Sequence, residues 1–423
     1  MTAHPPLPAV RPLLDPSPEY AKWRAEEPIR RVTVWGDNSP WLVTRHEDAR
    51  AVLADPRFSA DATREGFPGF RPEPPPRKPG QFFMMDPPDH TRLRRVLIPD
   101  FTFRRIERLR PAIARICDEL LDAMTGTAGV GAAEAGAVEA GAVEGATHAG
   151  AGVGAAHVTR ADLVESYALP LPSLVTCELL GVPYEDHDFF QRQARAISTL
   201  TSGPEEMRAA RQALQTYLGE LLDRRTREPA DDLISRLARD RVATGEVSAP
   251  EAVGIAALLL VAGHETTANM VPLAVVALLR HPEQLAALRA DPGLWPGAVE
   301  ELLRHQTVAH SGLRRLATED AEVAGVRIRA GEGVIVAVQA ANRDPSVFAD
   351  PDELDVRRAT TGHLAFGHGL HQCIGQSLAR AELQVGLPAL FDRLPGLRLT
   401  APPEDFALTM STIHGVRSLP VSW

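Results

Sequence analysis

Apolar residues recur at helical spacing along much of the chain, and the longest such pattern runs over 252–279. His264, Glu265, Thr266 and Thr267 interrupt its centre, where lipid would tolerate them poorly, so the pattern predicts a helix buried inside a soluble protein. The same spacing predicts helices over 18–27, 45–54, 89–95, 111–124, 161–180, 185–200, 205–225, 231–240, 298–305 and 376–391. Alternation with a period of two is rarer. It predicts a hairpin of 31–35 with 41–44, short strands over 323–328 and 333–337, and closing strands over 406–414 and 419–423. The balance gives a mainly α protein with small β-sheets.

Two stretches fit neither period. Residues 58–88 are dense in Pro and Gly, including Pro74, Pro75 and Pro76, which suits an irregular loop forming a wall of a pocket. Residues 126–156 are almost wholly Gly, Ala, Val and Glu and bury too little apolar surface to offset the entropy of ordering them. Helices are expected on both sides, so this tract reads as a disordered insertion within a single domain spanning 1–423, not as a linker.

Composition narrows the function classes. A formal charge of −10 argues against nucleic acid as a partner. Residues 1–20 are Pro-rich and lack both a basic start and an apolar run, so neither a signal peptide nor a membrane anchor is expected. Three cysteines, Cys117, Cys177 and Cys373, imply no disulfide framework and suit a reducing cytoplasm. Cys117 and Cys177 fall on apolar helical faces and read as small core residues.

Cys373 is different. It lies in Phe366-Gly367-His368-Gly369-Leu370-His371-Gln372-Cys373-Ile374-Gly375, directly before the segment 376–391. Such a loop lets backbone approach a bulky flat ligand and sets the sulfur at a helix start, which favours thiolate. No second Cys or His stands at zinc-finger spacing, so the axial position of a haem iron suits this sulfur better than zinc. His371 is placed to donate to an acidic group on the rim of such a ligand. A lone cysteine in a Gly-rich turn is more often a structural core residue, and context has to decide.

The first piece of context is the run Ala262-Gly263-His264-Glu265-Thr266-Thr267 in the buried helix. Gly263 leaves space beside the backbone for a small ligand such as dioxygen, and Glu265 beside Thr266 is a carboxylate and hydroxyl able to pass protons. A plainer role for the threonines is to bond back to the preceding turn.

Both runs resemble signatures of the cytochrome P-450 superfamily. Phe366, Gly369, Cys373 and Gly375 fill the fixed positions of its haem-binding loop, and Ala262 to Thr267 match its oxygen-activation motif. The resemblance, which is to bacterial soluble members with actinomycete-like composition, implies the P-450 fold, with haem b between the long central helix and the helix after Cys373. It implies that Cys373 is the iron ligand and that Gly263, Phe366, Gly367 and Gly375 lie against the haem. His90, Arg94, Arg315 and His371 are implied as propionate partners. It also implies a scaffold ion pair of Glu301 and Arg304, joined by Arg358, Arg357 or Arg343, and a mobile lid around 201–203. Asn269 is expected to order water and Pro272 to kink the helix. Position alone suggests Phe82, Phe83, Leu259, Val308, Ala309 and Ile413 as walls of the substrate pocket.

The implied activity is monooxygenation: one oxygen atom from O2 enters a small organic substrate, in natural-product tailoring or xenobiotic oxidation. The chain carries no flavin or nicotinamide fingerprint, so ferredoxin and ferredoxin reductase are the expected electron donors to a cytoplasmic monomer. Arg104, Arg105 and Arg108 are candidates for the docking patch. A nitric oxide reductase branch shares the segments 259–263 and 341–345, but Glu265 favours monooxygenation. Oxidative coupling or desaturation would use the same residues; a haem-based gas sensor is the non-enzyme alternative, against which the intact acid-alcohol pair weighs.

Overall fold

The computed structural model describes residues 4–8, 11–70, 73–126, 159–198, 203–409 and 412–423. The expected insertion therefore lies outside the described residues apart from Gly126, as do Thr201 and Ser202 of the expected lid. The molecule is built around the helix Ala249–Arg280, 32 residues long. A reciprocal cap starts it: the Ser248 hydroxyl accepts from the Glu251 amide, and the Glu251 carboxylate accepts from the Ser248 amide. Pro272 falls inside the helix without ending it. By length and composition this helix is apolar enough to cross a membrane, but 72% of its most apolar window is buried inside the protein.

Helices Pro170–Leu180, Pro204–Arg227, Trp295–Gln306 and Gln376–Arg393 pack against it, and their apolar faces merge into the main core. The loop after Phe58 is pressed onto the same helix near its start. A Cβ at Gly254 would stand 2.0 Å from the Pro79 carbonyl oxygen, so only glycine permits that approach. The Arg92 guanidinium reaches Glu251 at 2.6 Å and ties the helix Asp89–Leu97 to the same end.

A five-stranded sheet flanks the helices in the order Ile29–Arg31, Trp41–Val43, Gly333–Val336, Leu313–Ala317, Phe58–Ser59. Neighbours are antiparallel except Trp41–Val43 beside Gly333–Val336. A second sheet joins Arg160–Asp162, Pro420–Ser422 and Arg398–Leu399, and Ala321–Val323 pairs with Val326–Ile328.

Several expected boundaries change. The helix expected over 161–180 is a strand, a π-helical turn Val164–Ala168, and the helix Pro170–Leu180. Pro170 lacks an amide to continue the preceding turn, and the Asp162 carboxylate draws the Val164 and Leu419 amides, fixing the strand against the C-terminal segment. The helix expected over 231–240 is the short Leu233–Arg236 followed by the π-helical Leu237–Val242. What reads as one strand over 323–328 is a tight hairpin, turned at Ala324 (φ 48°) and Gly325 (φ 80°). Between Phe406 and His414 the described residues make only an isolated bridge, Leu408 with Val416, in place of a strand. The helix Pro282–Ala290 and the strand Leu313–Ala317 are not predicted by the hydrophobic pattern.

Candidate active site

The cysteine loop is shaped by two left-handed glycines, Gly367 (φ 69°) and Gly369 (φ 71°). A Cβ at Gly369 would lie 2.4 Å from the Leu53 carbonyl oxygen, so this loop seats on the helix His46–Ala54 only with glycine there. The Cys373 amide closes the turn by donating to the Phe366 carbonyl at 2.9 Å. The sulfur lies deep within the protein yet opens onto a cavity of about 1340 Å³, which the loop and the central helix both line. Burial pushes its thiol up, while the Gly375 and Gln376 amides and the Arg94 and Arg380 guanidiniums draw it back. The loop alone does not favour thiolate, contrary to the sequence expectation; a bound metal cation would remove the proton outright. Cys117 and Cys177 are core residues, their thiols pushed up by burial to about 11 and about 12.

Four basic side chains gather at this cavity, Arg315 and His371 on its wall and His90 and Arg94 next to the cysteine loop but off the wall. His90 is completely buried, both ring nitrogens lack a partner, and its ring centre lies 4.1 Å from that of His371. His371 leaves its own Nδ1 buried and unpaired. Arg94 spends one Nη2 bond on the Gln372 carbonyl at 2.7 Å, and among the described residues Arg315 bonds only the neighbouring Arg314 carbonyl. Burial first, then neighbouring cations, draws His90 down to about 4 and His371 down to about 3, and burial draws Arg315 down to about 10. Asp86 is the one carboxylate that eases His90 and Arg315, and the Ala60 amide already bonds it. Unpaired buried donors and crowded cations fit an anionic ligand, as the carboxylates of a haem are.

On the central helix Gly263, Thr266 and Thr267 line the cavity. A Cβ at Gly263 would stand 3.2 Å from Thr176 Oγ1, so glycine also lets the neighbouring helix come close. The Thr266 hydroxyl donates to the Ala262 carbonyl at 2.9 Å, and the helix is unbroken there. Glu265 is half-buried beside it and off the cavity wall. Asn269 Nδ2 donates to the Glu265 carbonyl at 2.7 Å.

Of the expected pocket walls, Phe83, Leu259, Val308, Ala309 and Ile413 line the cavity and Phe82 does not. Phe82 and Phe83 are successive residues of the 3-10 turn Phe82–Met84, which sends them to different sides. Phe82 packs in the core with its ring 6.1 Å from that of His90. The irregular loop supplies more wall, from Ala60 to Lys78, with Arg314 stacked 3.6 Å over Phe70.

The scaffold ion pair is fully enclosed. Arg304 bonds both Glu301 carboxylate oxygens at 2.7 Å, and Thr360 and the Asp355 amide also donate to Glu301. Arg358 completes the group at 3.1 Å, whereas Arg343 turns to Asp352 and the His305 carbonyl. Behind Phe366, Arg380 stacks on the ring at 4.5 Å and pairs with Glu300.

Glu382 was not foreseen. It is enclosed on the helix that follows Cys373, lines the cavity as Thr267 does, and has its carboxyl pushed up by burial, against the weaker influence of Thr267, to about 8. An acid between Ala381 and Leu383 on an apolar helical face was the available signal.

The family model described as Cytochrome P-450 matches residues 294–403, which include the cysteine loop. The chain is 48% identical over 420 residues to Cytochrome P-450-SU2 of Streptomyces griseolus, covering 97% of this chain and 94% of that one. It is 46% identical over 414 residues to pentalenic acid synthase of Streptomyces avermitilis, with the same 97% and 94% coverage. The crystal structure of cytochrome P-450 MoxA from Nonomuraea recticatena superposes with a TM-score of 0.85 at 44% identity, covering 99% of this chain and 98% of that one. With a cysteine and an alcohol-bearing helix opening on one chamber, the chain belongs to the cytochrome P-450 family and is a haem b monooxygenase.

Proposed function

We propose that this enzyme, working as a single-domain cytoplasmic monomer, inserts one oxygen atom from O2 into a largely apolar organic substrate, by hydroxylation or epoxidation. The reading rests on one observation: Cys373 and Thr266 line one chamber whose walls include Leu259, Val308, Ala309 and Ile413. Natural-product tailoring or xenobiotic oxidation is the setting, and the name of the pentalenic acid relative supports the former.

Bound haem supplies the dioxygen chemistry, with two electrons from an external donor. The protein's part is positional and electrostatic. Cys373 would ligate the iron from a loop that Gly367 and Gly369 let fold tightly, and Phe366 and Gly375, which line the same cavity, would help to hold the haem. His90, Arg94, Arg315 and His371 would hold the propionates, which would satisfy the unpaired ring nitrogens of the two histidines and offset the crowded positive charge. On the opposite wall Gly263 leaves room, Thr266 holds a proton at Oγ1, and Glu265 resupplies it from water. To donate into the cavity, Thr266 Oγ1 gives up its bond to the Ala262 carbonyl, at a net cost of about 1 kcal/mol.

Electrons come from ferredoxin and its reductase. Arg104 and Arg108 are available for docking, while Arg105 already pairs with Asp231 at 2.7 Å. Neither nucleic acid nor membrane takes part. The test is turnover under labelled dioxygen with a compound selected from a metabolite library by its shift of the haem spin state. One labelled oxygen atom in the product is expected; unlabelled product formed with dioxygen consumed would overturn the reading.

A further inference from the structure

The segment 11–17 lies outside every named helix and strand, yet Arg11, Leu14 and Ser17 are buried. Arg11 sits at the end of the helix Trp295–Gln306, where the last carbonyls have no partner within the helix. Its Nη1 donates to the Thr307 carbonyl and its Nη2 to the Gln306 carbonyl, each at 3.1 Å. Two residues on, the Leu13 carbonyl accepts from His414 Nε2 at 2.7 Å, and the His414 amide in turn donates to the Val308 carbonyl at 2.7 Å. The Ser311 hydroxyl adds a bond to the Thr412 carbonyl at 3.1 Å. A closed ring of bonds thus runs from Arg11 through Gln306, Thr307, Val308 and His414 to Leu13.

The two segments that this ring joins are chamber walls. Val308 and Ala309 lie on one, Thr412 and Ile413 on the other, and all four line the cavity. The arrangement is costly by itself. Arg11 is enclosed beside a second cation, Arg343, and burial together with Arg343 draws its guanidinium down to about 9. Asp15, the carboxylate that offsets this, pairs with Arg343 at 3.4 Å. A buried cation bonded only to carbonyls adds little to stability, whereas its planar fork fixes two carbonyls at a set spacing.

We propose that Arg11 is a positioning residue: with Leu13 and His414 it fixes the gap between the wall segments 308–309 and 412–413, and so sets the size and shape of substrate admitted above Cys373. The proposal rests on the reading of the cavity as the substrate chamber.

The test uses the haem-loaded full chain and two probes that bind the iron: imidazole, small enough to ignore the walls, and clotrimazole, large enough to press on them. Arg11→Gln keeps a polar group but loses the charged fork, and Arg11→Lys keeps the charge without the fork. For Arg11→Gln, imidazole affinity should stay within about twofold of wild type while clotrimazole affinity changes by about tenfold. Arg11→Lys should restore only part of the difference, and the reduced carbon monoxide spectrum should be unchanged. Equal effects on both probes, or none on either, would overturn the proposal. If Arg11→Gln gives no haem-loaded protein, His414→Phe, which cuts the same ring at Leu13, must give the same split between probes. Failure of wild type itself to bind imidazole would instead sink the haem-thiolate chamber on which the proposal rests.

Discussion

Replacing Glu382 by Gln removes a buried titration while keeping the size of the side chain. In the unfolded chain this carboxyl ionises at its ordinary value near 4.5; in the folded protein burial holds the proton until about 8, against the weaker pull of the Thr267 hydroxyl. Between those values the unfolded chain binds fewer protons, so the folded state loses stability as pH rises. The contribution is complete below pH 4.5 and gone above about pH 8. The slope is about 1.4 kcal/mol per pH unit, which over this window amounts to about 5 kcal/mol. Urea midpoints of the haem-loaded wild type and Glu382→Gln, measured across that range, should coincide at the acid end and diverge toward pH 8, with the variant the more stable. Parallel curves would mean that Glu382 is ionised or hydrated in the folded protein, and the account of its burial would be wrong.

Three other substitutions address separate parts of the structure. Glu301→Gln strands Arg304 and Arg358 around a neutral amide and should cost about 3–5 kcal/mol, read as a lower thermal midpoint. Glu301 is held below its usual range in spite of burial, chiefly by Arg304, so the stability it lends is present above the ordinary carboxylate value and is lost on acidification. Thr266→Ala should leave the haem spectrum intact, slow product formation by about a hundredfold and release peroxide; undiminished coupling would rule out relay through this hydroxyl. Arg315→Ala should weaken haem retention by about 1.5–3 kcal/mol, measured as faster transfer of haem to an apo-globin acceptor, and unchanged transfer would remove Arg315 from the propionate site.

The parts of the site that were legible are those whose chemistry is local in sequence. Gly367 and Gly369 stand where the backbone needs positive φ, and Cys373 follows at a fixed distance, so ten residues carry the loop. The central helix declared itself because its apolar pattern is long and its polar interruption is compact. The strand Leu313–Ala317 was hidden because Arg314 and Arg315 occupy its middle. Both are buried, one under Phe70 and one at the cavity edge, and a charged pair inside a strand defeats a reading by hydrophobicity. Residues 406–414 read as a strand because they alternate, yet pairing is decided by what lies alongside, and among the described residues of this stretch only Leu408 makes a β-bridge. Phe82 and Phe83 are indistinguishable as letters; a tight turn decides which one meets the cavity. Glu382 and the Arg11 ring depend on partners distant in sequence, Thr267 for one and Gln306, Thr307 and His414 for the other, and no local pattern encodes such pairs.

Sulfur ligation of iron by Cys373 underlies every role assigned to this chamber. The most direct measurement is the Soret band of the reduced carbon monoxide complex, taken for wild type and for Cys373→His at matched haem content. Wild type should give the red-shifted band of a thiolate ligand, and the histidine variant should bind haem without it. A red-shifted band that survives in Cys373→His would contradict the assignment.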